Sequence, residues 1–145
     1  MLKNLSPLLT PDLLFALASM GHGDELAVVD ANFPAARIAQ QAGVALIRLP
    51  GQDSTRVLQA VLSVLPLDSF EAHCAWSMQV VGDAAALPPP VLEFRDLLAA
   101  QGYGLASLER FAFYGQAARA RAIVQSGDLR KYANVLLRKG VLALD

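Results

Sequence analysis

The chain has 145 residues, 54% of them hydrophobic, which is enough apolar material for one compact domain with its own core. The chain has 12 Lys and Arg residues and 13 Asp and Glu residues, so its net charge is −1 at pH 7. No basic excess is available to neutralise a phosphate backbone, and the composition argues against a nucleic-acid partner.

The single cysteine, Cys74, has no partner for an internal disulfide and lies in an apolar run, so we expect a buried thiol and no zinc or disulfide site. No run of about 18 uninterrupted apolar residues occurs, and the first residues lack a leader pattern. The sequence predicts a soluble, cytoplasmic protein without membrane association. Its mean hydropathy of +0.39 predicts apolar surface buried between subunits.

Helices and strands are predicted to alternate along the chain. Thr10 and Pro11 are typical of a helix start, and the apolar residues that follow have helical spacing. Helices are predicted at residues 11–20, 36–41, 53–65, 90–101 and 111–118, and strands at 25–30, 43–49, 75–81, 121–125 and 134–138. This order predicts an α/β layered fold with a largely parallel sheet, in which small molecules bind at the carboxyl ends of strands.

His22 is the first candidate for chemistry. It lies between Gly21 and Gly23 on a predicted loop, and histidine titrates near neutrality. The glycines would let a ligand approach the loop closely, although a capping or solvent-facing histidine is also consistent with the pattern. A phosphate-binding loop is not indicated, because the motif precedes a strand and lacks the third glycine.

Asp30 follows the first predicted strand directly. A carboxylate at a strand end is well placed to bind a hydroxyl or to act as a base. The alternative is a turn-forming aspartate that caps the next segment.

A phenol and an amide, those of Tyr132 and Asn134, stand two residues apart at the start of the last predicted strand, where both would point to one side. Such a pair suits a polyol, while a rim tyrosine and a turn asparagine are the alternative. Arg110 precedes an aromatic run and could donate several hydrogen bonds to sugar oxygens, or form a surface salt bridge.

Two other possibilities are weak. His73 stands beside Cys74 without a partner nearby in sequence, so a role in the fold is favoured over a role in binding. The serines show no nucleophile-elbow pattern, and a hydrolase triad is not indicated.

Together these segments resemble the ribose pyranase / fucose mutarotase family. The resemblance runs nearly from end to end in the same order. It is carried by residues 1–7, Met20-Gly21-His22-Gly23-Asp24-Glu25, Asp30-Ala31-Asn32-Phe33-Pro34, Arg110-Phe111-Ala112-Phe113-Tyr114 and Tyr132-Ala133-Asn134.

The resemblance implies a role for each candidate residue. The general acid of the family falls on His22, its sugar-binding aspartate on Asp30, and its carboxy-terminal Tyr-x-Asn on Tyr132 and Asn134. The position that separates the branches falls on Arg110, and arginine before Phe-x-Phe-Tyr is typical of fucose mutarotases. Tyr132-Ala133-Asn134 departs from the Tyr-Gly-Asn of that branch and resembles the ribose branch.

The implied activity is interconversion of the anomers, and of the ring forms, of a free monosaccharide such as L-fucose, with no metal or cofactor. A base removes the proton of the anomeric hydroxyl while an acid protonates the ring oxygen, and the aldehyde recloses on either face. The alternatives are a D-ribose pyranase and a non-catalytic sugar-binding or transport-accessory protein. The implied fold is a three-layer α/β/α domain, assembled into rings such as decamers, with sites between neighbouring subunits.

Overall fold

A computed structural model describes residues 1–144. Within them are five helices and six strands, which alternate except that the last two strands follow one another. In chain order these are α1 (Pro11–Ser19), β1 (Glu25–Val29), α2 (Ala35–Ala42), β2 (Ala45–Leu49), α3 (Ser54–Leu62), β3 (Ala75–Met78), α4 (Pro89–Ala99), β4 (Ala106–Leu108), α5 (Arg110–Ala117), β5 (Ala122–Ser126) and β6 (Val135–Arg138).

All six strands form one sheet in the order β2-β5-β1-β6-β3-β4. Strands β1 to β5 run in one direction, and β6 lies antiparallel between β1 and β3. Leu26 of β1 pairs with Leu137 of β6, and Trp76 of β3 pairs with Leu136. The predicted α/β fold with a largely parallel sheet is confirmed.

Helices cover both faces of the sheet because alternate residues of each strand point to opposite faces. Leu26 and Val28 of β1 pack in one cluster with α1, α3 and α4, whereas Ala27 and Val29 pack in a second cluster with α2 and α5. Phe94 fills the first cluster and is fully buried, as Phe113 is in the second. The result is the expected three-layer α/β/α arrangement.

Side-chain caps fix where three helices begin. The Thr10 hydroxyl accepts from the Leu13 N–H at the start of α1, and the Asp53 carboxylate accepts from the Arg56 N–H at the start of α3. The Glu109 carboxylate accepts from the Phe111 and Ala112 N–H groups and starts α5. This last cap makes Arg110 the first residue of a helix.

Several predicted boundaries differ from the structure. The short strand β4 was not predicted, since its three half-exposed residues have no visible periodicity and owe their conformation to pairing with β3. The helix predicted to reach residue 65 ends at Leu62. Strand β3 ends at Met78 because a tight turn follows, with Val80 and Asp83 bridged.

Two other expectations concern the single cysteine and the length of the helices. Cys74 is buried with a free thiol, as predicted. Among the helices described, the longest has 11 residues, and none is long and apolar enough to cross a bilayer.

Candidate active site

The candidate site lies at one edge of the sheet, where four neighbouring strands meet. Asp30 follows the carboxyl end of β1, Met78 ends β3, and Arg110 comes two residues after β4. Because β6 is antiparallel, the segment before it, which contains Tyr132 and Asn134, arrives at the same edge. Strand pairing therefore collects side chains that are up to about 100 positions apart in the sequence.

These side chains surround an open pocket of about 310 Å³, at the lower end of the size range for small-molecule sites. It contains four of the five predicted site residues. The lining comprises Asp30, Asn32, Phe33, Met78, Val81, Arg110, Tyr114, Lys131, Tyr132 and Asn134.

Asp30 is 3% exposed and has two functions in the structure. One carboxylate oxygen accepts from the Asn32 N–H at 3.0 Å, so the turn-capping alternative holds, while Asp30 also lines the pocket. Burial raises its pKa above the usual value, and hydrogen bonds from the Asn32 backbone and the Asn134 amide oppose the shift without cancelling it. A raised pKa makes the carboxylate a stronger base toward a hydroxyl in the pocket.

Asn134 and Tyr132 are fixed by hydrogen bonds to other segments of the edge. The Asn134 side-chain oxygen accepts from the Asp30 N–H at 2.8 Å. The Tyr132 hydroxyl accepts from the Val81 N–H at 3.1 Å, which leaves its own proton for a further acceptor. The two side chains face one pocket, but not by strand alternation, because Tyr132 has a φ of 63° and lies in a loop before β6.

Arg110 lies at the start of α5, with its guanidinium 4.6 Å from the centre of the Phe111 ring. Its Nε is buried and has no hydrogen-bond partner among the described residues. A buried donor without a partner costs free energy unless an acceptor reaches it, so this N–H is a candidate contact for a ligand oxygen. Among residues 1–144 Arg110 forms no salt bridge, so the alternative of a surface ion pair is not seen there.

His22 lies elsewhere, beside two residues that the sequence did not point to. Its Nε2 is 3.0 Å from Oδ1 of Asp68, whose side chain is fully buried, and its ring packs edge-on against Phe70 at 5.3 Å. Burial alone would raise the pKa of Asp68, but hydrogen bonds from the Phe70 and Glu71 N–H groups and from His22 hold that pKa below its usual value. Asp68 therefore stays ionised and orients the imidazole.

Within one chain, His22 and the pocket are at opposite edges of the sheet. His22 precedes the amino end of β1 and Asp30 follows its carboxyl end, so a five-residue strand of about 16 Å separates them. A single copy of the chain does not bring His22 together with Asp30.

Sequence analysis missed Asp68, Met78 and Val81 as neighbours of functional groups. Met78 and Val81 have no side-chain chemistry that would mark them as site residues. Asp68 differs from other loop aspartates only through its contact with His22, which is 46 positions away in the sequence. His73 is exposed, which does not support the predicted role in the fold. Residues 1–144 contain no group of three or more His, Cys, Asp or Glu side chains placed to hold a metal ion.

The fold and the pocket define a three-layer α/β/α protein with a polar site sized for a small molecule. Residues 3–142 match the model of the RbsD / FucU transport protein family, so the chain belongs to that family, as the sequence resemblance indicated.

Whole-chain relatives agree with this assignment. The fucose mutarotase of Homo sapiens is 44% identical over 99% of this chain and 96% of its own length, and that of Bos taurus is 41% identical over 98% and 95%. The crystal structure of the fucose mutarotase from Streptococcus pneumoniae in complex with L-fucose superposes with a TM-score of 0.89. It has 35% identity and covers 98% of this chain and 100% of that one.

Proposed function

We propose that this protein is an L-fucose mutarotase, an isomerase that interconverts the α and β anomers of the free sugar by acid–base ring opening. The observation that carries the proposal is the convergence of Asp30, Arg110, Tyr132 and Asn134 on one pocket. Whole-chain similarity to fucose mutarotases supports the same activity. The matched span of residues 3–142 and the single sheet support one domain for the whole chain.

The reaction needs proton transfer and positioning. Asp30 holds the anomeric hydroxyl or takes its proton, since the pKa raised by burial makes its carboxylate a stronger base. Tyr132 has a hydroxyl proton to donate, and Arg110, which lines the pocket, has a buried Nε–H with no partner among the described residues. With Asn134 they fix the orientation of the sugar, and such positioning lowers the barrier to ring opening.

His22 is proposed as the general acid, contributed by a neighbouring copy of the chain. The separation of His22 from the pocket supports this arrangement, because one copy holds the two halves of the site at opposite edges of its sheet. Each site in a closed ring would then combine the His22 edge of one subunit with the Asp30 edge of another.

Exposed apolar side chains support assembly into a ring, and we propose a decamer. Phe70 is 70% exposed beside His22, and Phe111 is 65% exposed beside the pocket, so each half of the site has a large aromatic surface next to it. Exposed aromatic side chains of this kind are typical of subunit interfaces. A cytoplasmic location stays a prediction of the sequence.

Exchange NMR on L-fucose, D-ribose and D-galactose tests the proposal by measuring magnetisation transfer between anomeric signals with and without the protein. We expect acceleration for L-fucose, and loss of that acceleration by about 10² or more in His22→Gln with sugar binding retained. Acceleration for D-ribose alone would indicate a ribose pyranase, and sugar binding without acceleration would indicate a binding protein.

A further inference from the structure

A polar cluster outside the pocket surrounds the chain just before Tyr132. Arg130 Nε and Nη2 donate to the two carboxylate oxygens of Asp128 at 3.0 and 2.9 Å. Arg130 Nη1 pairs with Glu93 on α4, and Nη2 also lies 3.4 Å from the hydroxyl of Thr55 on α3. One guanidinium thus joins two helices to the segment that enters the site.

Asp128 anchors this cluster in the body of the protein. It is 4% exposed and accepts from the Ser54 N–H at 3.1 Å, and its backbone carbonyl accepts from the Ala31 N–H at 2.9 Å. Burial alone would raise the pKa of Asp128, but the hydrogen bonds of Arg130 and of backbone N–H groups hold that pKa below its usual value. The ionised Asp128–Arg130 pair therefore holds its segment of the chain against Ala31, the residue that follows Asp30.

Tyr132 needs such support because its backbone is strained. Its φ of 63° is unfavourable for a residue with a side chain and persists only where the surroundings determine it. On the carboxyl side, Asn134 is held by the Asp30 N–H, and the phenol is held by the Val81 N–H. On the amino side, the Arg130 cluster is the nearest anchor, two residues away.

We infer that Arg130 is a positioning residue for the sugar site, which holds residues 130–132 so that Tyr132 and Asn134 present their side chains to the ligand. The inference rests on the proposed function and deepens it. Arg130 itself does not line the pocket, so its effect on the sugar passes through Tyr132 and Asn134. Tyr132 and Asn134 hold sugar hydroxyls both before and during ring opening. Loss of Arg130 therefore weakens sugar binding more than it slows ring opening of the bound sugar.

The test compares Arg130→Gln and Arg130→Lys with wild type by exchange NMR over a range of L-fucose concentrations and by hydrogen exchange of backbone amides at residues 130–134. We expect Arg130→Gln to raise KM about tenfold with kcat within about twofold, and to speed amide exchange at these residues. Arg130→Lys restores part of the loss, because a lysine keeps the charge beside Asp128 but not the fork of donors. Arg95→Gln, which removes the exposed Arg95–Asp96 pair on the same helix as Glu93, is the matched control with no expected change.

Unchanged KM and unchanged amide exchange in a folded Arg130→Gln protein would overturn the inference and leave Arg130 a purely structural residue. If Arg130→Gln does not fold, Glu93→Gln removes the ion pair between Arg130 and α4. KM and amide exchange of that variant then test whether the cluster positions residues 130–132. The amide exchange does not depend on catalysis. A wild-type protein that fails to accelerate sugar exchange would refute the proposed function, while the amide result would still decide whether Arg130 holds the loop.

Discussion

Asp30 meets two opposing demands at the residue scale. Its place at the end of β1 buries the carboxylate, and that burial raises its pKa and so favours proton exchange with a bound hydroxyl. The same burial makes the ionised form unfavourable for folding. A group with a raised pKa in the folded state stabilises the protein below its unfolded pKa, near 3.8, and this stability is lost as the pH rises through the folded pKa.

Asp30→Asn therefore stabilises the protein at neutral pH and inactivates it. We expect a gain of about 0.5–2 kcal/mol at pH 7, since asparagine keeps the oxygen that caps Asn32 without the buried charge. Thermal melting at several pH values checks this, and the gain should vanish near pH 3. Sugar exchange should fall about 100-fold. A variant that melts below wild type at pH 7 would contradict the account.

Asp68 contributes to the proposed site by orienting the imidazole of His22. Its carboxylate contacts Nε2 of His22, which leaves the other imidazole nitrogen for the sugar contact proposed above. In Asp68→Asn the amide can donate to Nε2 and invert the tautomer.

We expect Asp68→Asn to lower kcat about 10- to 100-fold with KM nearly unchanged, because the acid is misoriented while the pocket is intact. Exchange NMR at saturating L-fucose measures the loss. Asp96→Asn, which changes an exposed aspartate on α4, is the matched control. Full activity in Asp68→Asn would show that the His22–Asp68 contact is not used in catalysis.

At the scale of elements, a close approach between two loops fixes the start of the site segment. A Cβ on Gly127 would lie 1.9 Å from the carbonyl oxygen of Pro50, and the Gly127 N–H donates to the Gln52 carbonyl at 2.7 Å. The turn after β2 and the turn after β5 thus pack backbone against backbone. Only glycine leaves room for that contact, and the contact places Asp128 at the start of α3.

Gly127→Ala should lower the melting temperature by about 10 °C, because the turns must separate at a cost of about 3 kcal/mol. Gly51→Ala in the facing turn is the control, since a Cβ there meets nothing within 4 Å and a change within about 0.5 kcal/mol is expected. Equal melting of the two variants would refute the role of this contact.

At the scale of the whole molecule, the sheet separates the two halves of the proposed site. The His22–Asp68 pair lies at the amino end of β1, and the pocket lies at its carboxyl end. In the ring proposed above, the face that carries the exposed Phe70 would pack against the pocket edge of another copy, where Phe111 is exposed.

Mixing two inactive variants tests this arrangement. When His22→Gln and Asp30→Asn chains are unfolded and refolded together, about a quarter of the shared sites receive both intact residues, so about a quarter of the wild-type rate should return. Each variant refolded alone should stay inactive. No recovery in mixed rings, with mixing shown by native mass spectrometry, would mean that one chain supplies both residues.

Local patterns in the sequence determined most of the elements, the layered fold and the place of Asp30 at a strand end, whereas Arg110, Tyr132 and Asn134 were singled out chiefly by the family resemblance. The period of the apolar residues, the caps at Thr10 and Asp53, and the place of Asp30 at a strand end all follow from interactions between near neighbours. Only the tertiary structure decided the partners of these groups: Asp68 beside His22, Val81 against Tyr132, and Arg130 between two helices. Such contacts join residues tens of positions apart and depend on strand order and chain packing, which no local pattern records.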